Sequence, residues 1–226
     1  MQTIIKHGTD FASLHVTFDA PGESLRCEAG AMVARDVALD MKTNMHGTFG
    51  AALKRSLLGG ESLFQNTFTA TAAGQTLMLA PAVEGSIVEL DLAAGQSMFL
   101  QSGAFMACTP GVELDTKWGG AKGFFGAGLF LLKVTGPGRV WFATYGALHP
   151  IDLAGASYTA DNTHLVAFDG GLQYQVRKVG GLKSLLFSGE GLVCQVSGHG
   201  RLYLQTRSPS ALAWFVHPYR AVRRSN

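Results

Sequence analysis

Charged residues are scarce in this chain. Only 15% of its 226 residues are Asp, Glu, Lys or Arg, against roughly 25% in an ordinary soluble domain, and 18 basic against 16 acidic residues leave a net charge of +2. So small a charge offers no electrostatic footprint for a phosphate backbone. The arginines gathered at the C-terminus, Arg220, Arg223 and Arg224, read as a solvated end, and nucleic acid is not an expected partner. Cysteine is scarce as well. Cys27, Cys108 and Cys194 form no Cys-x-x-Cys pair and are odd in number, which excludes a disulfide scaffold and leaves three small core residues. No apolar stretch reaches the about 18 residues of a spanning helix. The opening Met1-Gln2-Thr3-Ile4-Ile5-Lys6-His7 lacks the basic segment and apolar core of a secretory leader, so cytoplasm is the expected compartment.

Glycine and apolar residues are abundant instead. Hydrophobic residues make up 47% of the chain, which excludes disorder, and 29 glycines indicate many tight turns. One turn recurs three times, as Asp19-Ala20-Pro21-Gly22-Glu23-Ser24, Asp91-Leu92-Ala93-Ala94-Gly95-Gln96-Ser97 and Asp152-Leu153-Ala154-Gly155-Ala156-Ser157. Each is followed by a pair of strands, over 25–41, 98–116 and 158–176, then by a Gly-rich apolar loop and a hairpin. The hairpins echo one another in Gly60-Glu61-Ser62-Leu63-Phe64, Gly126-Ala127-Gly128-Leu129-Phe130 and Gly189-Glu190-Gly191-Leu192-Val193, and again at Gly74, Gly136-Pro137-Gly138 and Gly198-His199-Gly200. Period-two alternation of apolar and polar residues marks half-buried strands, and other segments read as buried on both faces. The expectation is an all-β fold, a single compact domain of three β repeats over about 1–91, 92–152 and 153–226, with few short helices. Two helices are read: one over 48–58, and one over 211–216, where Ser208-Pro209-Ser210 supplies the cap.

The repeated Gly-x-Gly-Leu-Phe strand starts, the Gly136-Pro137-Gly138-Arg139-Val140-Trp141 hairpin and the Gly-rich loops resemble a bacterial family related to the altered-inheritance-of-mitochondria proteins, over nearly the whole chain. That resemblance implies three tandem units like the tryptophan RNA-binding attenuation protein (TRAP-like), a shortened double-stranded β-helix, set about a pseudo-threefold axis. It implies no established activity; the mitochondrial relatives are associated with inner-membrane organisation.

Catalytic signals are missing. Gly22-Glu23-Ser24, Gly60-Glu61-Ser62, Gly95-Gln96-Ser97 and Gly155-Ala156-Ser157 lack the closing Gly of a nucleophile elbow, and no Gly-rich loop carries the lysine of a phosphate cradle. The seven histidines have no metal-ligand spacing, so no cofactor or metal is expected. Asp40 and Asp115, each preceded by Leu, read as equivalent carboxylates with Gln173 in the third repeat, and as strand surface before acid–base groups. Trp141 and Trp214 read as core residues.

The candidate site is a contact rim made by the three loops. The first carries Phe49, Leu53 and Leu57 beside Lys54; the second Trp118, Phe124 and Phe125 beside Lys122; the third Leu185, Leu186 and Phe187 beside Lys183. Apolar loops of this size call for burial. They either cap the barrel's own core, dock a second copy or a protein partner, or attach peripherally to an anionic membrane. A non-enzymatic assembly or scaffold protein follows, acting through self-association or partner contact. The alternative is a module binding a small ligand or RNA on the TRAP-like fold.

Overall fold

A computed structural model describes residues 1–45, 64–115, 131–178 and 192–220. The chain is all-β, as the sequence predicts, and folds into three antiparallel sheets. Its strands, in order, are β1 (Gln2–Lys6), β2 (Ser13–Thr17), β3 (Ser24–Glu28), β4 (Met32–Arg35), β5 (Asp40–Met45), β6 (Phe64–Thr69), β7 (Thr76–Leu79), β8 (Ile87–Leu92), β9 (Ser97–Gln101), β10 (Phe105–Cys108), β11 (Glu113–Asp115), β12 (Leu131–Thr135), β13 (Gly138–Ala143), β14 (Leu148–Asp161), β15 (Leu165–Asp169), β16 (Gln173–Lys178) and β17 (Leu192–Gln205). One helix, α1 (Pro209–Val216), follows.

The sheets are β1-β2-β7-β4, β5-β6-β3-β10-β13-β8 and β11-β12-β9-β15-β17-β14, with β16 also paired to β17. The two larger sheets share one plan. In each, three strands from an earlier stretch of chain (β5-β6-β3 or β11-β12-β9) are continued by three from the next (β10-β13-β8 or β15-β17-β14). The turns before β3, β9 and the second half of β14 pass through Gly22, Gly95 and Gly155 at φ 86°, 77° and 84°, a region in which a Cβ is strained. β4, β10 and β15 carry a bulge at the same place. Met32 faces Leu79 and Ala34 the adjacent Met78; Phe105 faces Phe142 and Ala107 the adjacent Trp141; Leu165 faces Leu204 and Ala167 the adjacent Tyr203. The two strands β14 and β17 run the length of two pairings, with a register shift between Ala154 and Ser157.

The core comes in three successive clusters because the strands alternate. Trp141 points with Leu25, Cys27 and Phe68 into the first cluster, while Val140 and Phe142 point to the other face of the same sheet, into a second with Met98, Leu100 and Val166. Phe168 and Leu165 then turn away from Val166 to pack with Cys194 and Val196 in a third. The middle strands are thus apolar on both faces, which accounts for their continuous hydrophobic runs. Phe11, Gly85 and Gly146 lie side by side as isolated parallel bridges. A Cβ on Gly85 would stand 1.9 Å from the Thr144 carbonyl oxygen, so this close backbone approach requires glycine.

Candidate functional site

All twelve residues proposed for the rim fall outside the described residues. Phe49, Leu53, Lys54 and Leu57 lie in 46–63; Trp118, Lys122, Phe124 and Phe125 in 116–130; Lys183, Leu185, Leu186 and Phe187 in 179–191. The helix read over 48–58 lies there too. The strands that flank these stretches are described. Each stretch joins two members of an antiparallel pair, with last partners Met45↔Phe64, Asp115↔Lys133 and Lys178↔Leu192.

The described surface exposes large apolar side chains on regular elements, among them Ile4 on β1 and Met41 on β5, and two groups of these stand out. The first comprises two strand edges. β4 pairs only with β7, and Tyr158–Ala160 of β14 pair only with β17; Met32, Val33 and Tyr158 are 39%, 54% and 42% exposed. Their counterparts by register are buried: Phe105 and Leu165 for Met32, Met106 and Val166 for Val33, Leu25 and Met98 for Tyr158. The second is the C-terminal segment. Ser208 caps α1, its Oγ accepting from the Ala211 N–H at 3.4 Å, with Pro209 in the first turn, as the sequence predicts. The helix buries none of its residues. Trp214 is 77% exposed, beside exposed Phe215 and Tyr219, so its expected place in the core is corrected. Apolar content alone suggested burial, but nothing among the described residues packs over the helix. Trp141, by contrast, is fully buried.

Some polar groups of the described surface pair with one another. An open cleft of about 380 Å³ lies between Asp91, Asp152, Asp169, Arg201 and Tyr203, and another of about 410 Å³ is lined by Lys6, His15 and Arg35 beside β4. In the first of these the pairing is dense. There the Arg201 Nε donates to Asp152 Oδ1 at 2.7 Å and its backbone N–H to Asp169 Oδ2 at 2.8 Å, and Arg139 Nε stands 3.9 Å from Asp91 Oδ1. Glu89 is a second hub: its carboxylate accepts from Trp141 Nε1 at 2.7 Å, Thr3 Oγ1 at 3.1 Å and Arg139 Nη1 at 3.2 Å, fastening β1 to β13. Asp40 and Asp115 are not brought together; they lie on β5 and β11, the edge strands of different sheets. Nor are they equivalent. Asp40 faces Thr69 as Glu113 faces Thr135 and Gln173 faces Ser197, so the likeness of Leu39-Asp40 to Leu114-Asp115 is a coincidence of composition. The buried counterparts of Leu39 are Val112 and Leu172.

Burial pushes the three thiols up, Cys27 to about 12 and Cys108 and Cys194 to about 11, which makes them inert core groups. Burial likewise lowers the His15 pKa, with Lys6 and His7 adding to the effect. Its Nε2 sits 3.1 Å from Ser13 Oγ. Among the described residues no three His, Cys, Asp or Glu side chains are placed to hold a metal ion. No helix there is long and apolar enough to cross a membrane. Sequence reasoning missed the edges of β4 and β14 and the Glu89 hub; an alignment of the three turns would have shown Tyr158 at the place of Leu25 and Met98, three residues after the glycine.

Comparison with known proteins places this architecture. Residues 4–207 match the family described as mitochondrial biogenesis AIM24. An uncharacterized protein of Streptococcus pyogenes serotype M6 is 32% identical over 207 residues, covering 88% of this chain and 83% of that protein. A crystal structure of another Streptococcus pyogenes protein superposes with a TM-score of 0.78 at 27% identity, covering 97% of this chain and 99% of that one.

Proposed function

The chain belongs to the mitochondrial biogenesis AIM24 family, and from that premise we propose that it is a non-enzymatic assembly protein working through contact with copies of itself or with a protein partner, where a membrane surface is the alternative support. The observation that carries this reading is the exposure of large apolar side chains on hydrogen-bonded elements: Met32 and Val33 on β4, Tyr158 on β14, and Trp214 and Phe215 on α1. Isolated apolar residues are normal on a surface. Strand edges and a helix without any buried residue are different: the helix is complete in backbone structure and lacks only a packing partner, and an edge strand lacks both a packing partner and a pairing strand.

The test is solution mass by light scattering over a concentration series, together with flotation on vesicles containing anionic lipid. A mass above the 23.9 kDa of one chain, or co-flotation that salt weakens, is the expected result. A monomer at every concentration that also leaves the vesicles unbound overturns the reading.

A further inference from the structure

We infer that two copies of this chain join head to tail, β4 of one pairing antiparallel with the Ser157–Asp161 half of β14 of the next. The inference rests on the assembly reading above and names its partner and contact. Within one chain the join is already made twice. β3 pairs with β10, and β9 pairs with β15, each time uniting three strands of one stretch with three of the next. The same plan leaves two half-sheets over. At the start of the chain stands β4-β7-β2, extended by β1, and at its end β16 and the second half of β14, both on β17. β4 corresponds to β10 and β15, which are interior strands; the second half of β14 corresponds to β3 and β9, which are interior too. Only these two members of their sets are edges among the described residues.

The register follows from the two joins present. Ala107 faces Cys27 and Cys108 faces Arg26; Ala167 faces Leu100 and Phe168 faces Phe99. Counting from Gly22, Gly95 and Gly155, the third join sets Ala34 against Ala160 and Arg35 against Thr159. The side chains agree with this register. Met106 reaches the first core cluster and Val166 the second, so Val33 would reach the third, beside Cys194 and Val196 of the neighbouring copy. That move buries a residue now 54% exposed. The edges carry no Pro or Lys, and although β4 has a charged Arg35 and a bulge, the equivalent β10 and β15 pair in spite of the same bulge; strand addition supplies the main-chain hydrogen bonds that both edges lack. Because the two edges differ, the contact is heterologous, and copies add in one direction into a ring or a filament.

Two single variants, Arg35→Cys and Thr159→Cys, test this when mixed and gently oxidised with diamide. Directly opposed residues of an antiparallel pair lie about 4.5–5.5 Å apart at Cα, within disulfide reach, and the native thiols are all buried. The expected product is a reducible dimer from the mixture that neither variant gives alone. A cross-link found only inside the single chain of the double variant would show the seam closing on itself and overturn the inference. Val33→Asp is the companion, since its site is open to solvent in one chain and covered in the join. It should reduce the mass to that of one chain while leaving the far-UV circular dichroism spectrum unchanged. An oligomer that persists in Val33→Asp, with no mixed dimer, keeps self-association and removes this seam; a wild-type chain that is monomeric at all concentrations removes both.

Discussion

Truncating Trp141 should cost the fold more than any other single tryptophan change among the described residues. Its ring is fully buried in the first core cluster, its Nε1 donates to Glu89 Oε2 at 2.7 Å, and the Arg139 guanidinium lies 5.6 Å from the ring centroid. Removing a buried indole typically costs about 3–5 kcal/mol, and the cation–π contact adds about 0.5–1 kcal/mol at a partly exposed arginine. Glu89 keeps Thr3 and Arg139 as donors, so no orphaned carboxylate adds to the loss. Trp141→Ala should therefore lose about 3.5–6 kcal/mol. Trp141→Phe, which retains most of the ring and forfeits the donor, should lose about 1.5–3 kcal/mol, the worth of a hydrogen bond to a charged group. Urea unfolding followed by far-UV circular dichroism reads both. With a slope of about 3 kcal/mol per molar, the upper end for small domains, the alanine midpoint falls by about 1.5 M and the phenylalanine midpoint by 0.5–1 M. An alanine variant within about 0.3 M of the parent, or one no worse than the phenylalanine variant, would refute the packing reasoned here.

Trp214 gives the opposite expectation: at 77% exposure its replacement by Ala should move the urea midpoint by less than about 0.5 kcal/mol in free energy, and a larger loss would mean α1 is packed. The thiols give a pH dependence. Their folded pKa values lie above the ordinary 9.0, so the unfolded chain loses protons first and stability falls as pH rises through 9. Each thiol contributes up to about 1.4 kcal/mol per pH unit until its own folded value is reached. Cys27→Ala, with a folded value of about 12 removed, should flatten the decline between pH 9 and 11 relative to the parent; an unchanged slope contradicts the burial. Below pH 8 the same thiols should resist alkylation until the chain unfolds.

Much of this fold was legible because it is written locally. Gly22, Gly95 and Gly155 announce their turns through a backbone region that other residues avoid, Ser208-Pro209 announces a helix start, and the apolar run Val140-Trp141-Phe142 of β13 puts Trp141 inside. What escaped is non-local. Nothing in Phe105-Met106-Ala107-Cys108 says that its neighbour is β3, about eighty residues earlier, and nothing in Met32-Val33-Ala34-Arg35 says that the corresponding neighbour is absent among the described residues. Similar strand sequences encode the strand, while the partner is decided by topology. Trp214 misled for a related reason: apolar character records a demand for burial without recording where it is met. Aligning Asp40 with Asp115 failed because adjacent Leu-Asp pairs matched in letters, whereas the register follows the buried Leu39, Val112 and Leu172.

The borrowing of strands between successive stretches also sets a timetable for synthesis. Arg26 meets Cys108 across β3 and β10, so an emerging chain holds the β3 edge open until 82 further residues have been added, about 4–16 s at ~5–20 residues per second. The β9 edge then waits in turn for Ala167, which faces Leu100 67 residues earlier. Each pause offers an unpaired strand edge, the kind of surface that aggregates, to whatever is near the ribosome. For the last such edge, on β14, none of the described residues that follow ends the wait.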